Sequence, residues 1–251
     1  MSSAYQFRHA GDTGLVIGLA DTPAMVHRHP QFDTRSIRAI LRALAHTLKQ
    51  EAVDGKLDGL VDMIPGMVSL VVCYDPLQIS AKELRAHVDD HPPDTLASLV
   101  AQSAVASRAI TMPCCYEEEA FAPDLIASAT SLGMTPHDLI AHHTKHPLEV
   151  AMMGFLPGLA YMTGLEAKLS LPRRATHRPH VPAGSVGIVK QQTVIYPLPS
   201  PGGWNLIGRV PLVLFDPKRD DPILLRPGDQ VQFHAISRKE YDRLHAKQHI
   251  K

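Results

Sequence analysis

The residues best suited to chemistry lie between Gly154 and Arg209. Ser200-Pro-Gly-Gly-Trp204 sets a hydroxyl, two residues without β-carbons and the only tryptophan side by side. Such a run lets backbone N–H groups approach a ligand while an aromatic wall excludes water. A tight turn capped by a core tryptophan would look the same. Gly154-Phe-Leu-Pro-Gly-Leu-Ala-Tyr161 has a similar character, and the Tyr161 hydroxyl could orient a substrate or simply close a structural loop. In Val181-Pro-Ala-Gly-Ser-Val-Gly-Ile188, Ser185 stands between glycines but lacks the G-x-S-x-G spacing of a nucleophile elbow, which argues against a serine hydrolase.

Charge sharpens this picture. No acidic residue occurs between Glu166 and Asp216, yet the stretch carries Lys168, Arg173, Arg174, Arg178, Lys190 and Arg209, with His177 and His180 beside them. Anions drawn partly out of water need cationic or N–H partners, so the stretch suits carboxylate or phosphate, and equally a basic strip facing an acidic partner. His142, His143 and His146 have spacings that could aim two imidazoles at one metal, but no carboxylate adjoins them in H-E-x-x-H form, and surface or core histidines are expected. Neither a G-x-x-x-x-G-K-[ST] loop nor a G-x-G-x-x-G turn is present, so any nucleotide is held another way or by a partner.

The whole chain of 251 residues has zero formal net charge, 45% apolar and 20% charged residues, the balance of a folded globular protein without a nucleic-acid footprint. The amino terminus reads as no export signal and no apolar run reaches membrane-spanning length, so a cytoplasmic protein off the membrane is expected. Cys73, Cys114 and Cys115 read as buried reduced thiols.

The elements that must position these residues fall into two parts. Residues 4–19 read as a hairpin around Gly11-Asp12. Residues 33–50 put Ile37, Ile40, Leu41, Leu44 and Leu48 on one helical face behind Asp33 or Thr34 as cap. Leu60–Ile64 and Met67–Tyr74 pair as strands across Pro65-Gly66, Ser80 and Glu83 start a helix with a capping box, and another helix runs from Pro92-Pro93 to about Ser107. Residues 1–106 therefore predict an α+β domain of the split βαβ, ferredoxin-like kind. A strand from Ala109, helices near 122–132 and 135–146, and then short apolar pieces cut by Pro and Gly, including Pro211-Leu-Val-Leu-Phe215, predict a β-barrel or sandwich over 107–240 with inserted helices. Residues 241–251 form a polar tail.

Taken together, Gly154–Leu165, Leu171-Pro-Arg-Arg174, Val181–Ile188, Gln192-Thr193, Ile195-Tyr-Pro197, Ser200–Arg209, Leu214-Phe-Asp216 and Pro227-Gly-Asp229 resemble the allophanate hydrolase subunit 1, or KipI-like, family. Gly11-Asp12, Ile64-Pro-Gly66, Tyr74-Asp75-Pro76, Cys115-Tyr116 and Pro123-Asp124-Leu125 extend the resemblance over nearly the whole chain. It implies that the second domain is a cyclophilin-like barrel. It also implies one component of an ATP-dependent 5-oxoprolinase, inactive alone, with ATP and its Mg held partly by a partner. The implied partners are an allophanate hydrolase subunit 2-like chain, the C-type component of that enzyme, and a third component; the substrate is a small anion. On this footing Arg209, Gln192 and Tyr161 are the expected catalytic residues, and Arg173, Arg178, Ser185, Ser200, Gly202, Gly203, Trp204 and Asn205 the expected substrate-binding ones. The chain departs from the family pattern at Val189-Lys-Gln-Gln-Thr-Val194, where Lys190 and Val194 add bulk near the ligand loop. Competing readings are a module that docks on a histidine kinase, a component of a urea- or allophanate-type amide hydrolase, and, by barrel analogy alone, a prolyl isomerase.

Overall fold

The computed structural model describes residues 3–20, 33–102, 107–117 and 119–248. The chain splits into two compact units, residues 1–106 and 107–251.

The first unit opens with β1 (Tyr5–His9) and β2 (Gly14–Leu19), joined by a turn in which the Ala10 N–H donates to the Gly14 carbonyl at 2.8 Å. Helix α1 (Thr34–Val53) starts where the Asp33 carboxylate accepts the Ser36 N–H at 2.7 Å, satisfying an otherwise orphaned helix donor. Then come β3 (Leu60–Pro65), β4 (Leu70–Tyr74), α2 (Ala81–Asp89) and α3 (Pro93–Gln102). Ser80 and Glu83 form the expected capping box on α2. The antiparallel sheet has the order β1-β2-β4-β3, so α1 joins β2 to β3 across β4. A complete ferredoxin-like order would fill the edge beside β2 with a strand that follows the second helix; here β1 holds that edge. The stripe Ile37, Ile40, Leu41, Leu44 and Leu48 is fully buried with Leu15, Ile17, Leu70 and Val72 of the sheet. Each such side chain contributes about 1.5–3 kcal/mol by leaving water. The helix expected from Pro92-Pro93 to Ser107 is α3, which ends at Gln102; residues 103–106 lie outside the described residues.

The second unit runs β5 (Ala109–Cys115), α4 (Leu125–Ser131), α5 (Pro136–His143), β6 (Leu148–Met153), β7 (Ala160–Thr163), β8 (Arg178–Val181), β9 (Ser185–Val189), β10 (Gln192–Ile195), β11 (Ser200–Gly202), β12 (Asn205–Arg209), β13 (Gln230–Ile236) and α6 (Arg238–Gln248). Seven strands close a barrel in the order β10-β7-β6-β13-β5-β12-β9, while β8 and β11 form a separate two-stranded ribbon. Closure leaves no open barrel edge. Met112, Val150, Ala160, Met162, Val186, Ile188, Ile207, Val231 and Phe233 fill the interior. The Pro211–Phe215 piece expected as a strand makes only an isolated bridge, Phe215 to Ile223. Tail residues from Arg238 form a helix, α6, whose Tyr241 packs on Phe121 with ring centroids 4.5 Å apart. Among the described residues no helix is long and apolar enough to cross a membrane. Cys114 and Cys115 are buried thiols and Cys73 is half-buried.

Candidate functional site

Within the second unit the β6–β7 loop, the segment before β8, and the join of β11 to β12 enclose a cavity of about 300 Å³. Phe155, Leu159, Tyr161, Arg173, His177, Val194, Tyr196, Pro201, Gly202, Gly203 and Trp204 line it. The volume is at the small end for ligand sites, which suits a metabolite-sized molecule.

Glycines decide how closely the rings approach. A β-carbon at Gly202 would collide with the Tyr196 hydroxyl, and one at Gly203 would lie 2.8 Å from His177 Cδ2. At Gly187 on β9 it would lie 2.8 Å from the Trp204 β-carbon. The Gly202-Gly203 pair therefore seats Tyr196 and His177 against backbone, while Gly187 seats Trp204. Trp204 meets Tyr161 in a tilted pair with centroids 5.9 Å apart, a favoured arrangement of ring quadrupoles. Burial pushes the Tyr196 phenol up to about 12, partly offset by Arg173, Arg178 and the Trp204 backbone N–H. Burial also raises the Tyr161 phenol, against the pull of Arg173. Both phenols are protonated at neutral pH and available as donors.

Arg173 is exposed, and among the described residues it has no carboxylate partner. Its two neighbours in the cationic stretch behave differently. Arg174 Nη1 and Arg178 Nη2 both converge on Asp124 Oδ1, at 2.5 and 2.7 Å. Asp124 Oδ2 accepts the Leu206 N–H at 2.7 Å, and the Asp124 N–H donates to the Leu206 carbonyl at 2.9 Å. Asp124 is only 4% exposed. The Arg174 N–H in turn donates to the Gly203 carbonyl at 3.0 Å, so this carboxylate holds the cavity wall from behind.

Of the residues expected at the site, Tyr161, Arg173, Gly202, Gly203 and Trp204 come together around the cavity. The others do not line it. Arg178 is engaged by Asp124. Arg209 lies over the Phe121 ring, 4.8 Å from its centroid, and donates to the Ala120 carbonyl at 3.1 Å. Burial and the nearby Arg238 lower its pKa. Asn205 directs its amide donors to the Pro172 and Ile188 carbonyls, at 2.9 and 3.0 Å. Ser185 is 1% exposed, with a hydroxyl that has no partner among the described residues. Ser200 turns its hydroxyl to the Pro201 carbonyl at 3.3 Å. Gln192 opens β10 opposite Val189 and Thr163. Of the two bulky departures, Val194 lines the cavity and Lys190 sits in the β9–β10 turn with φ 51°, bridged to Leu171.

Sequence reasoning missed Phe155, His177 and Tyr196 as walls, although each lies in or beside a segment it singled out, and it missed Asp124 as the anchor of Arg174 and Arg178. The carboxylate that Arg174 and Arg178 meet lies 50 and 54 residues away from them in sequence, and no spacing rule links it to either.

The histidine cluster divides. His143 is fully buried, its Nδ1 2.7 Å from the Tyr116 hydroxyl and its Nε2 3.3 Å from Thr193 Oγ1. Thr193 gives its proton to the Gly187 carbonyl at 3.0 Å, so the imidazole carries hydrogen on Nε2 and accepts from Tyr116 on Nδ1. Burial holds His143 neutral, its pKa lowered to about 3. His142 lies 2.7 Å from Glu166, a carboxylate also met by Lys145 at 2.9 Å, while Lys168 reaches His142 Nε2 at 2.7 Å. The ammonium groups make this an ion network, and no group of three or more metal-ligating side chains occurs among the described residues.

Residues 6–225 match the family described as carboxyltransferase domain, subdomain C and D. The chain is 34% identical over 251 residues to the B-type subunit of 5-oxoprolinase from Bacillus subtilis, covering 96% of this chain and 97% of that one. It is 49% identical over 127 residues to the B-type subunit of 5-oxoprolinase from Escherichia coli O157:H7, across 51% of this chain and 58% of the relative. The crystal structure of TTHA0988 superposes with a TM-score of 0.71 at 31% identity, covering 92% of this chain but only 40% of that longer one. On this match, running through both units and the cavity-lining loops, the chain belongs to the carboxyltransferase subdomain C and D family, which its motifs marked out as allophanate hydrolase subunit 1-like.

Proposed function

We propose that this chain is the B-type subunit of an ATP-dependent 5-oxoprolinase and that its barrel cavity receives the lactam of 5-oxoproline. The observation that carries the reading is Arg173, a cation with no carboxylate partner among the described residues, at the rim of a small aromatic cavity. The end-to-end likeness to a relative named for that reaction supports it. In this reading Arg173 takes the substrate carboxylate by a charge-assisted bond, the protonated Tyr161 donates to the lactam oxygen, and Trp204 and Tyr196 cover the ring and exclude water. Opening the lactam bonds a water oxygen to the ring carbonyl carbon and breaks the C–N bond. A donor aimed at the carbonyl oxygen favours that change because negative charge develops there.

In this reading the nucleotide is held outside the cavity. Its triphosphate would need several unengaged cations or a nest of N–H groups, whereas Asp124 already engages Arg174 and Arg178. We therefore assign ATP and its metal to a partner, the C-type chain or the third component. The test is reconstitution: ATP-dependent glutamate formation from 5-oxoproline by the three chains together. It should collapse when this one is omitted, and Arg173→Gln in the complete assembly should raise KM for 5-oxoproline at least about tenfold. Undiminished turnover without this chain would sink the proposal.

A further inference from the structure

Phe155 is the cavity wall that packing does not account for. Its side chain is 67% exposed, and its backbone holds φ 71°, the left-handed region that side chains with a β-carbon avoid. The Leu156 N–H donates to the Gly154 carbonyl at 2.9 Å, closing a three-residue turn around Phe155. A γ-turn with positive φ is the rare and strained hand. Gly154 stands next to it and could adopt such a conformation without strain, yet the aromatic residue carries it.

The rest of the loop is fixed. The Gly154 N–H donates to the Leu159 carbonyl at 3.2 Å and the Leu159 N–H to the Leu156 carbonyl at 3.0 Å. Gly158, with φ 81°, lies so close to the segment downstream of β12 that an added β-carbon would be 2.9 Å from Phe215 Cβ. A rigid base thus holds an exposed ring beside a cavity whose other walls include Tyr161, Tyr196 and Trp204. An aromatic box of this kind gains most from a flat occupant, because stacking requires a planar face.

We propose that Phe155 is the specificity-determining cap of this cavity, closing on the flat face of a small cyclic amide whose carboxylate is held by Arg173. Open-chain amides of the same charge offer no such ring and are bound less well. This inference rests on the reading of the cavity as the 5-oxoproline site and deepens it.

Trp204, the sole tryptophan, lies in the cavity wall and reports occupancy directly through its fluorescence. The chain is titrated with 5-oxoproline and with N-acetylglycine, which carries an amide and a carboxylate without a ring. Wild type and Phe155→Tyr should both prefer 5-oxoproline. Phe155→Leu should weaken 5-oxoproline by about tenfold and N-acetylglycine little, erasing the preference. Phe155→Gly, which relieves the turn, should melt no lower than wild type and bind as weakly as Phe155→Leu. If wild type titrates and the Leu and Gly variants keep both affinity and preference, the cap is refuted and the cavity reading stands. Equal losses for both ligands would refute its selectivity. A folded wild type whose Trp204 ignores 5-oxoproline would overturn the cavity reading, and the cap with it.

Discussion

Replacing Asp124 with alanine tests the strongest structural claim about the cavity wall. The carboxylate is 4% exposed and has three partners. Its removal strands the guanidiniums of Arg174 and Arg178, whose side chains are 34% and 23% exposed, and leaves the Leu206 N–H unpaired. Breaking one side of a fully buried pair costs about 3–5 kcal/mol. Partial solvent access to both arginines argues for the lower end, about 3 kcal/mol, or roughly a 150-fold shift in the folding equilibrium. Urea denaturation followed by Trp204 fluorescence is the appropriate assay, because the only tryptophan lies in the barrel unit and reports that unit without the other. Removing charge on both sides, as in Asp124→Leu with Arg174→Met and Arg178→Leu, should cost much less than Asp124→Ala, since no guanidinium is then left stranded. A loss below about 1 kcal/mol in Asp124→Ala would refute the reasoning and reduce the trio to an ordinary surface bridge.

Three further outcomes follow from the same geometry. His143 is held neutral in the folded chain, its pKa lowered to about 3, so its contribution to stability is complete above the unfolded value near 6.5. It is lost as pH falls from there toward 3, at up to about 1.4 kcal/mol per pH unit; Trp204-monitored urea midpoints at pH 7 and pH 5 should show the decline, and His143→Gln should flatten it. Gly202→Ala should destabilise the barrel by about 1–3 kcal/mol through its collision with the Tyr196 hydroxyl, and adding Tyr196→Phe should restore part of that loss in a double-mutant cycle of melting curves. Arg173→Gln should leave the unfolding free energy within about 0.5 kcal/mol of wild type, because the side chain is exposed and has no ion-pair partner among the described residues, whereas Arg178→Gln, which leaves Asp124 with one cation fewer, should lower it measurably.

The parts legible in the sequence are those written in local periods. The α1 stripe from Ile37 to Leu48 repeats at the helical spacing, and Asp33 and Ser80 announce their caps because capping uses residues within one turn. Close-set Pro and Gly announced the short strands of the barrel domain, but the same signal also promised a strand at Pro211–Phe215, where only a bridge forms. Site residues were legible as segments and less so as roles. The acid-free stretch suggested several ligand-binding cations, yet one carboxylate far upstream takes Arg174 and Arg178 and leaves Arg173. Asn205 and Gly203 are two residues apart, but one ties strand to backbone and the other faces the cavity. Which cations are engaged depends on contacts fifty residues away, and no local pattern encodes them.

The parallel pairing of β5 with β13 sets the order in which the barrel can be completed. Ala109 faces Gln230 in the register, and Arg108 grips Asp229 through two bonds spanning 121 residues. During synthesis the first barrel strand therefore waits without either barrel neighbour until β12 emerges, and without β13 until nearly the whole domain has emerged. The entropic cost of closing so long a loop rises only logarithmically with its length, but it must be met before the last contacts offset it. Closure of this barrel accordingly awaits β13, and a chain shortened before Gln230 would lose its closing strand while retaining every residue that lines the cavity.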